Sequence, residues 1–352
     1  MSFKPKYTII NKILNNVSQI MSGREVIEQA KLIPKWELRL KKEARIHNAH
    51  SSTSIEGNNL TLKQVEALSD NKEIVATDKD KKEVLNYLKV LDLIPKYAKR
   101  KEIDIDLILE IHETATKDTL RDNKDCGAFR KRQVFVGRRI FDGTGFKEVV
   151  EYMPPKTKDV SRLVVEFLDW LNSDKTKDIN PVILAGIVHY EIARIHPFID
   201  GNGRTARLMA SLILYKRGFD HRRFFALDDY YDENRKAYYE ALKTVQASKG
   251  DITKWLEYFT DGVLYSINNV KDLIVKIGFA PKIEEGVRVE LTQKQVKILQ
   301  LIKEKDTVNN KDLREIFGIT RQAIVKEMSK LVSLELVVLV GKGRGAYYKV
   351  SE

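Results

Sequence analysis

Between His196 and Arg204 the chain reads HPFIDGNGR, an imidazole, a carboxylate, a Gly-Asn-Gly turn and a guanidinium in close succession. Glycines ahead of a helix let backbone N–H groups point outward, and the positive end of the helix dipole adds to them, so such a turn can seat phosphate. Gly201 and Gly203 permit close approach, and Asn202 offers a side-chain amide. Arg204 and Arg207, at the start of the following helix, can fork onto further phosphates, which together imply a nucleoside triphosphate. Asp200, just before the turn, suits a Mg²⁺ ion bridging two phosphates. His196 can accept a proton at neutral pH and activate an attacking hydroxyl, an effect of roughly 10²- to 10⁴-fold. The chain has no GK[ST] loop, kinase motif set or dinucleotide GxGxxG, which disfavours the standard nucleotide folds.

Such a turn needs helices on both sides. PVILAGIVHYEIARI reads as the first, with Pro181 in its first turn, and Pro197 biases His196 away from helical geometry, so an end near Ile195 is expected. RTARLMASLILYKRG predicts the second, which Gly218 can close. Residues 8–100 also carry helical apolar spacing. That pattern breaks at SIEGNN, where one helix is expected to end near Glu56 and Thr61 with Gln64 to cap the next. RKRQVFVGRRIFDGTGFKEVVEYMPP instead reads as a hairpin closed by Asp142 to Gly145. GFAPKIEEGV makes a linker. From Leu291, three short amphipathic helices and a two-strand hairpin with a basic, Gly-rich tip give the order of a winged helix-turn-helix. The expected class is mainly α, a helical bundle with a β-hairpin plus a C-terminal winged-helix domain.

At 352 residues the chain exceeds the roughly 250 that one core usually holds, so two or three domains are expected. Its 43% apolar and 32% charged residues exclude global disorder. No apolar run approaches the roughly 18 to 20 residues of a bilayer span, and the start lacks a secretory core. A cytoplasmic protein without a membrane partner is therefore expected. Cys126, the only cysteine, can form no intramolecular disulfide and reads as an inert thiol. The net charge of +12 favours a polyanionic partner, although lysines interleaved with acids, as in DKDKKE, read as solvated helix faces. His112 and His189 read as packing histidines.

HPFIDGNGRTAR resembles the signature of the Fic family, HxFx[D/E]GNGRxxR, with every defining position filled. GAFRKRQVFVG and EYMPP are similar to the flap region of that family, so the resemblance covers about residues 105–260. It implies a Fic-type helical bundle that transfers AMP from ATP to a Ser, Thr or Tyr hydroxyl of an unidentified target protein, releasing pyrophosphate. His196 would deprotonate the hydroxyl and Asp200 would bind Mg²⁺. Gly201, Asn202 and Gly203 would cradle the α-phosphate region, and Arg204 and Arg207 would hold the β- and γ-phosphates. The flap residues Val134, Phe135, Val136 and Gly137 would take an extended target segment by strand addition.

NRKAYYEALKTVQ is similar to the family segment that closes over adenine, which makes Tyr238 and Tyr239 base-pocket candidates, with Gln246 where some relatives carry asparagine. SSTSIEGN looks like the family's inhibitory motif, [S/T]xxxE[G/N], with Ser52, Glu56 and Gly57 in register. Its glutamate would occupy the Arg207 fork that the γ-phosphate needs. In some relatives the same glutamate serves the removal of AMP, so both directions stay open.

The implied plan is an N-terminal helical region over 1–104 carrying the inhibitory motif, a catalytic domain over 105–278, a linker over 279–290 and the winged helix over 291–352. In the last of these, TRQAIVKEMSKL would enter the major groove with Arg321 and Lys326, while Lys342 and Arg344 of the wing touch phosphate or minor groove. The same fold also serves dimerisation or target recruitment, so DNA and a homodimer both remain candidates. Two functions follow. One is a self-inhibited, Mg²⁺-dependent protein adenylyltransferase; the other is a nucleotide-sensing winged-helix transcription regulator whose core does not turn over. The base at His196 favours the enzyme, because a sensor needs none.

Overall fold

The computed structural model describes residues 3–30, 32, 34–141, 145–278, 291–333, 336–341 and 346–350. Among them, fourteen α-helices and two two-stranded sheets make up the regular structure, the mainly α class expected. The chain divides into two compact units, Met1–Gln29 with Ile33–Asn268 and Ala30–Leu32 with Asn269–Glu352.

The first unit is built around α7 (Pro181–Ile195) and α8 (Asn202–Lys216), which pack against each other and are buried along most of their length. Apolar or small residues face outward on nearly every side of α7, so it can serve only as a core helix. Asn180 accepts from Val182 N at 2.9 Å and Pro181 follows at the first helical position, which starts the helix as the sequence indicates. It stops at His196, whose φ of 51° and ψ of 57° turn the chain away.

Where α7 meets α11 (Thr253–Gly278), the close approach depends on Gly186. A Cβ there would lie 2.8 Å from Leu256 Cδ2 and 3.0 Å from Phe259 Cδ1, and Trp255 Nε1 donates to Gly186 O at 2.8 Å. Leu256, Phe259 and Trp255 are all fully buried.

The N-terminal helices α1 (Asn11–Gln29), α2 (Pro34–Ile55), α3 (Leu62–Ser69) and α4 (Asp78–Tyr97) belong to this same unit. The region expected over 1–104 is therefore part of one core with the helices that follow. The reason is a set of polar contacts from α2 and α4 to α9 (Leu227–Glu233) and the segment before it. Tyr87 Oη donates to Asp228 Oδ2 at 2.7 Å, Ser51 Oγ to Asp229 Oδ1 at 2.6 Å, and Asn48 Nδ2 to Phe225 O at 2.7 Å. Thr61 and Gln64 form the expected capping box at the start of α3.

After α5 (Ile105–Thr116), strands β1 (Val136–Phe141) and β2 (Phe146–Tyr152) form the antiparallel hairpin, with a register shift between Val136 and Gly137. A Cβ on Gly137 would fall 2.2 Å from Val149 O, so the shift requires glycine. Val134 and Phe135, expected on the strand, precede it. Residues 142–144 of the expected turn lie outside the described residues. Helix α6 (Val160–Leu171) leads from the hairpin towards α7, and α10 (Arg235–Ala247) precedes α11.

The first unit ends at Asn268, within α11, rather than at the expected 278. The second contains α12 (Gln293–Lys305), α13 (Asn310–Phe317), α14 (Arg321–Ser333) and the hairpin β3 (Val337–Val340) with β4 (Tyr347–Val350). Ile298, Leu299, Ile302, Leu313, Ile324, Met328 and Leu331 form its core with Val337 and Tyr348. The linker over 279–290, and Lys342 and Arg344 of the hairpin tip, lie outside the described residues.

Gly186→Val is expected to destabilise the protein by about 1–3 kcal/mol, because fully buried side chains of α11 must move aside. Urea denaturation checks this, and an unchanged midpoint would contradict the packing described.

Candidate active site

The loop between α7 and α8 is held from three sides. Asn202 closes it from within: its Oδ1 accepts from Phe198 N at 2.9 Å and its Nδ2 donates to Phe198 O at 3.0 Å. The Asn202 amide, expected to face a phosphate, is thus bonded at both ends to the loop, and the residue is buried. Gly201 adopts φ +76°, and a Cβ there would meet Thr116 Cγ2 at 2.6 Å, so only glycine fits.

His112 supports the loop from α5. Its ring stacks on Phe198 with centroids 3.6 Å apart, and Gly127 N donates to its Nδ1 at 3.1 Å. Nε2 must therefore carry the hydrogen, which it gives to Asp200 O at 2.9 Å. Burial, opposed only in part by this hydrogen bond, lowers the His112 pKa to about 4. His189 is likewise buried, its Nε2 2.9 Å from Tyr238 Oη. Both are structural, as expected.

His196 is placed otherwise. Its ring is half-buried, and Nδ1 lies 3.3 Å from Ala193 O, so the Nδ1 hydrogen points at that carbonyl and Nε2 keeps its lone pair. Burial lowers its pKa below the ordinary imidazole value, against the raising effects of the Ala193 carbonyl and Glu56. At neutral pH the ring is a free base.

A cavity of about 150 Å³ opens beside it, lined also by Gly203, Arg207 and Glu56. Tyr238, Tyr239, Leu242, Lys243 and Gln246 of α10 form one wall, and Tyr190, Ala193 and Arg194 of α7 another. Val136, Glu151 and Tyr152 of the hairpin complete it, and Lys243 Nζ bridges to Glu151 Oε2 at 2.5 Å. The α7, hairpin and α10 members other than Val136, Tyr238, Tyr239 and Gln246 were not legible as site residues. Glu151, Tyr152, Leu242 and Lys243 lie inside segments quoted for the resemblance, but only folding singles them out and brings them together with Tyr190, Ala193 and Arg194.

Arg207 has no exposed side-chain surface. Its Nη2 donates to Glu56 Oε1 at 2.8 Å and to Ser52 O at 2.9 Å, and its Nε donates to Ser52 Oγ at 2.6 Å. Burial pulls its pKa down, but Glu56, Tyr238, Asp228 and Tyr87 outweigh that and hold it well above the ordinary value. Glu56 reaches this point because α2 ends at Ile55 and because Gly203 has no side chain, a Cβ there falling 2.2 Å from Glu56 Oε1.

Arg204 departs from the expected shared grip. It is buried away from the cavity lining, with Nη1 3.5 Å from Glu83 Oε1 and Nη2 3.7 Å from Asp200 Oδ1, while its Nε is unpartnered. The two arginines therefore answer to different carboxylates. Asp200 and Gly201 are also absent from the cavity lining, so the structure gathers His196, Gly203, Arg207, Tyr238, Tyr239 and Glu56 there but not the other expected phosphate and metal residues.

Asp200 is 57% exposed at the side chain, and its Oδ1 accepts from Gly201 N at 2.5 Å. No group of three or more His, Cys, Asp or Glu that could hold a metal occurs among the described residues. One accessible carboxylate just before a helix N-terminus is compatible with Mg²⁺, which keeps several waters and needs few protein ligands.

Fold and site define a helical domain built around one histidine loop at a helix N-terminus, with a hairpin beside it. Residues 102–214 match the model of the Fic/DOC family. Among similar proteins, the Protein adenylyltransferase Fic of Drosophila willistoni is 33% identical over 63% of this chain and 41% of its own length. The Drosophila grimshawi protein of the same name is 32% identical over 63% and 42%. The chain thus spans about two fifths of the curated relatives it matches. The solved Fic-1 (aa134–508) from C. elegans aligns with a TM-score of 0.58 at 27% identity, over 74% of this chain and 73% of that one. A Fic family protein from Desulfovibrio desulfuricans G20 shares the fold across 99% of this chain and 98% of that one, with a TM-score of 0.65 at 23% identity.

His112 gives a pH test of the loop. Its folded pKa lies near 4 and its unfolded value near 6.5, so between these only the unfolded chain binds the proton. Its contribution to stability is whole at pH 7, falls as pH drops through that window and levels off below about 4, a loss of roughly 2–3 kcal/mol. Urea denaturation from pH 7 to 4 should therefore show a shallower loss in His112→Gln than in the parent; parallel curves would refute the assignment.

Proposed function

We propose that this protein is a protein adenylyltransferase that holds itself inactive. The observation that carries this reading is one cavity shared by a neutral imidazole, a fully buried arginine and the carboxylate that occupies that arginine. The names of the adenylyltransferase relatives support it.

On this reading, His196 Nε2 takes the proton of a target Ser, Thr or Tyr hydroxyl. The oxygen attacks the α-phosphorus of ATP, the bond from that phosphorus to the pyrophosphate oxygen breaks, and pyrophosphate leaves as the AMP ester forms. In-line placement and charge neutralisation lower the barrier. Gly203 and the amides opening α8 seat phosphate, and Arg207 takes the terminal phosphate once Glu56 leaves it. Arg204 and Asp200 stand one turn apart at the same helix start. Asp200 would hold Mg²⁺, which supplies charge neutralisation between phosphates. The hairpin, with Val136 at the cavity, docks an extended segment of the target by backbone pairing. Tyr238, Tyr239 and Gln246 border the nucleobase. The reading sets this chemistry in the cytoplasm; no helix among the described residues is long and apolar enough to cross a membrane.

Incubation with α-labelled and, separately, γ-labelled ATP tests the reaction. Glu56→Gly should raise transfer from the α label by about tenfold or more, a coupling of the usual size between two sites. His196→Ala should reduce it by roughly 10²- to 10⁴-fold. Activity should hold as pH passes the ordinary imidazole pKa and fall only below it, because a lowered pKa keeps His196 free past that point. Label from the γ position would mean phosphotransfer, and no label in any variant with targets present would favour a nucleotide sensor.

We further propose that the second unit is a winged helix that contacts duplex DNA. Arg321 and Lys326 are exposed on α14, Arg321 at its first residue and Lys326 on the side away from the core residues Ile324, Met328 and Leu331. Replacing both with alanine should lower duplex affinity and reduce its salt slope by about two, one unit per phosphate contact. An unchanged slope would direct the unit to protein recruitment or dimerisation instead.

A further inference from the structure

Arg130 lies outside the His196–Arg207 signature and is 3% exposed. Its backbone N–H donates to Pro197 O at 2.8 Å and its Nε donates to His196 O at 2.9 Å. One residue thus holds both carbonyls that follow the His196 side chain, at the point where the backbone is left-handed. The far side of the guanidinium faces the other way. Nη1 donates to Thr157 Oγ1 at 2.7 Å, and Nη2 donates to Pro155 O at 2.5 Å.

Those partners are the roots of the hairpin. Pro155 and Thr157 follow β2, and Gln133 precedes β1; Gln133 Oε1 accepts from Thr157 N at 3.1 Å, and its Nε2 donates to Pro154 O at 3.1 Å. The two strands are therefore cross-tied at their base, and the tie runs through a rigid, planar fork to His196. Arginine suits this work because its donors are fixed in one plane, whereas lysine would offer a single mobile centre.

We propose that Arg130 is a positioning residue that sets the His196 imidazole and the target-docking hairpin in one frame. The proposal rests on the AMP-transfer reading and deepens it. A target segment paired with the hairpin brings its hydroxyl to a place defined by the hairpin roots. The base must be found at hydrogen-bond distance from that place, and errors of about 1 Å are costly in rate. Binding of ATP, by contrast, depends on Gly203, Arg207 and α10, none of which Arg130 touches. The guanidinium also adds positive charge near the imidazole, alongside the larger effect of burial and against Glu56 and Asp200.

The test uses the full chain with Glu56→Gly as parent and adds Arg130→Lys, Arg130→Gln and Thr157→Val. Arg130→Lys and Arg130→Gln should lower kcat for α-label transfer by at least about tenfold while KM for ATP moves by less than about twofold. Thr157→Val, which removes one root anchor and spares the bonds to His196, should lower kcat by a smaller factor. Histidine-labelled NMR should show the His196 titration rising toward the ordinary imidazole value in Arg130→Gln. An unchanged kcat in the Arg130 variants, a KM that rises in step with the kcat loss, or an unmoved His196 titration would overturn the proposal. Should Arg130→Gln fail to fold, Thr157→Val decides: unaltered kcat refutes the strut. Should the parent transfer no label, the AMP-transfer reading fails by itself, and a crystal structure of Arg130→Gln still decides the role of Arg130: an unmoved His196 ring and unmoved hairpin root would overturn it.

Discussion

Arg207 is a full positive charge with no exposed side-chain surface, and the rest of the site can be understood from that fact. Taking a guanidinium out of water is costly unless anions and hydrogen-bond acceptors replace the lost hydration. Ser52 supplies two acceptors and Glu56 supplies the anion. The cation therefore asks for negative charge whatever the state of the protein, and a terminal phosphate arriving in the cavity would offer the same thing more strongly. Autoinhibition on this view needs no elaborate machinery. On the proposed reading it would be competition between two anions for one buried fork, decided by how firmly α2 is fastened.

That fastening explains why the N-terminal helices share a core with the loop they restrain. Ser52 and Glu56 sit on or just beyond the last turn of α2, and the same helix is tied to α9 and its approach by Asn48 and Ser51. A helix attached through surface charges alone would fray at its C-terminal end, where backbone carbonyls lack partners. Here the end is held by side-chain contacts to buried groups, so Glu56 is presented at a fixed height above α8. The absent side chain of Gly203 leaves the room it occupies.

Much of this was readable from residue order, because the loop is local. The stop at Ile195, the helix beginning near Asn202 and the capping box at Thr61 follow from proline, glycine and a capping pair, whereas the pairing of Glu56 with Arg207 was implied only by the family resemblance. What spacing could not show is direction. Arg204 and Arg207 are three residues apart, yet the fold offers Glu83 to one and Glu56 to the other. Asn202 looked like a donor to ligand, but an amide can satisfy itself against Phe198, and a buried loop gains more from that closure. Glu151, Lys243 and Arg130 lay inside segments similar to the family's but could not be singled out there, since their meaning comes from the hairpin folding back over α7 and α10.

A second carboxylate explains how Glu56 can be the exchangeable partner without the core collapsing when it lets go. Removing one member of a fully buried ion pair costs about 3–5 kcal/mol, because a bare charge is left behind. Glu56, however, is 28% exposed, so it can move toward solvent when it releases the fork. Asp228 stays within. Burial raises its pKa to about 6, with Arg207 and the Tyr87 hydroxyl opposing that rise, so at neutral pH it is largely ionised and its field still reaches the arginine. On the proposed reading Arg207 has one counter-ion on the cavity side, Glu56, that would be traded for phosphate, and on the core side the field of buried Asp228, which stays. A cation with only the first would resist activation, since release of Glu56 would strand it. With both, the exchange of carboxylate for phosphate changes which anion faces the cavity while the charge balance of the core persists.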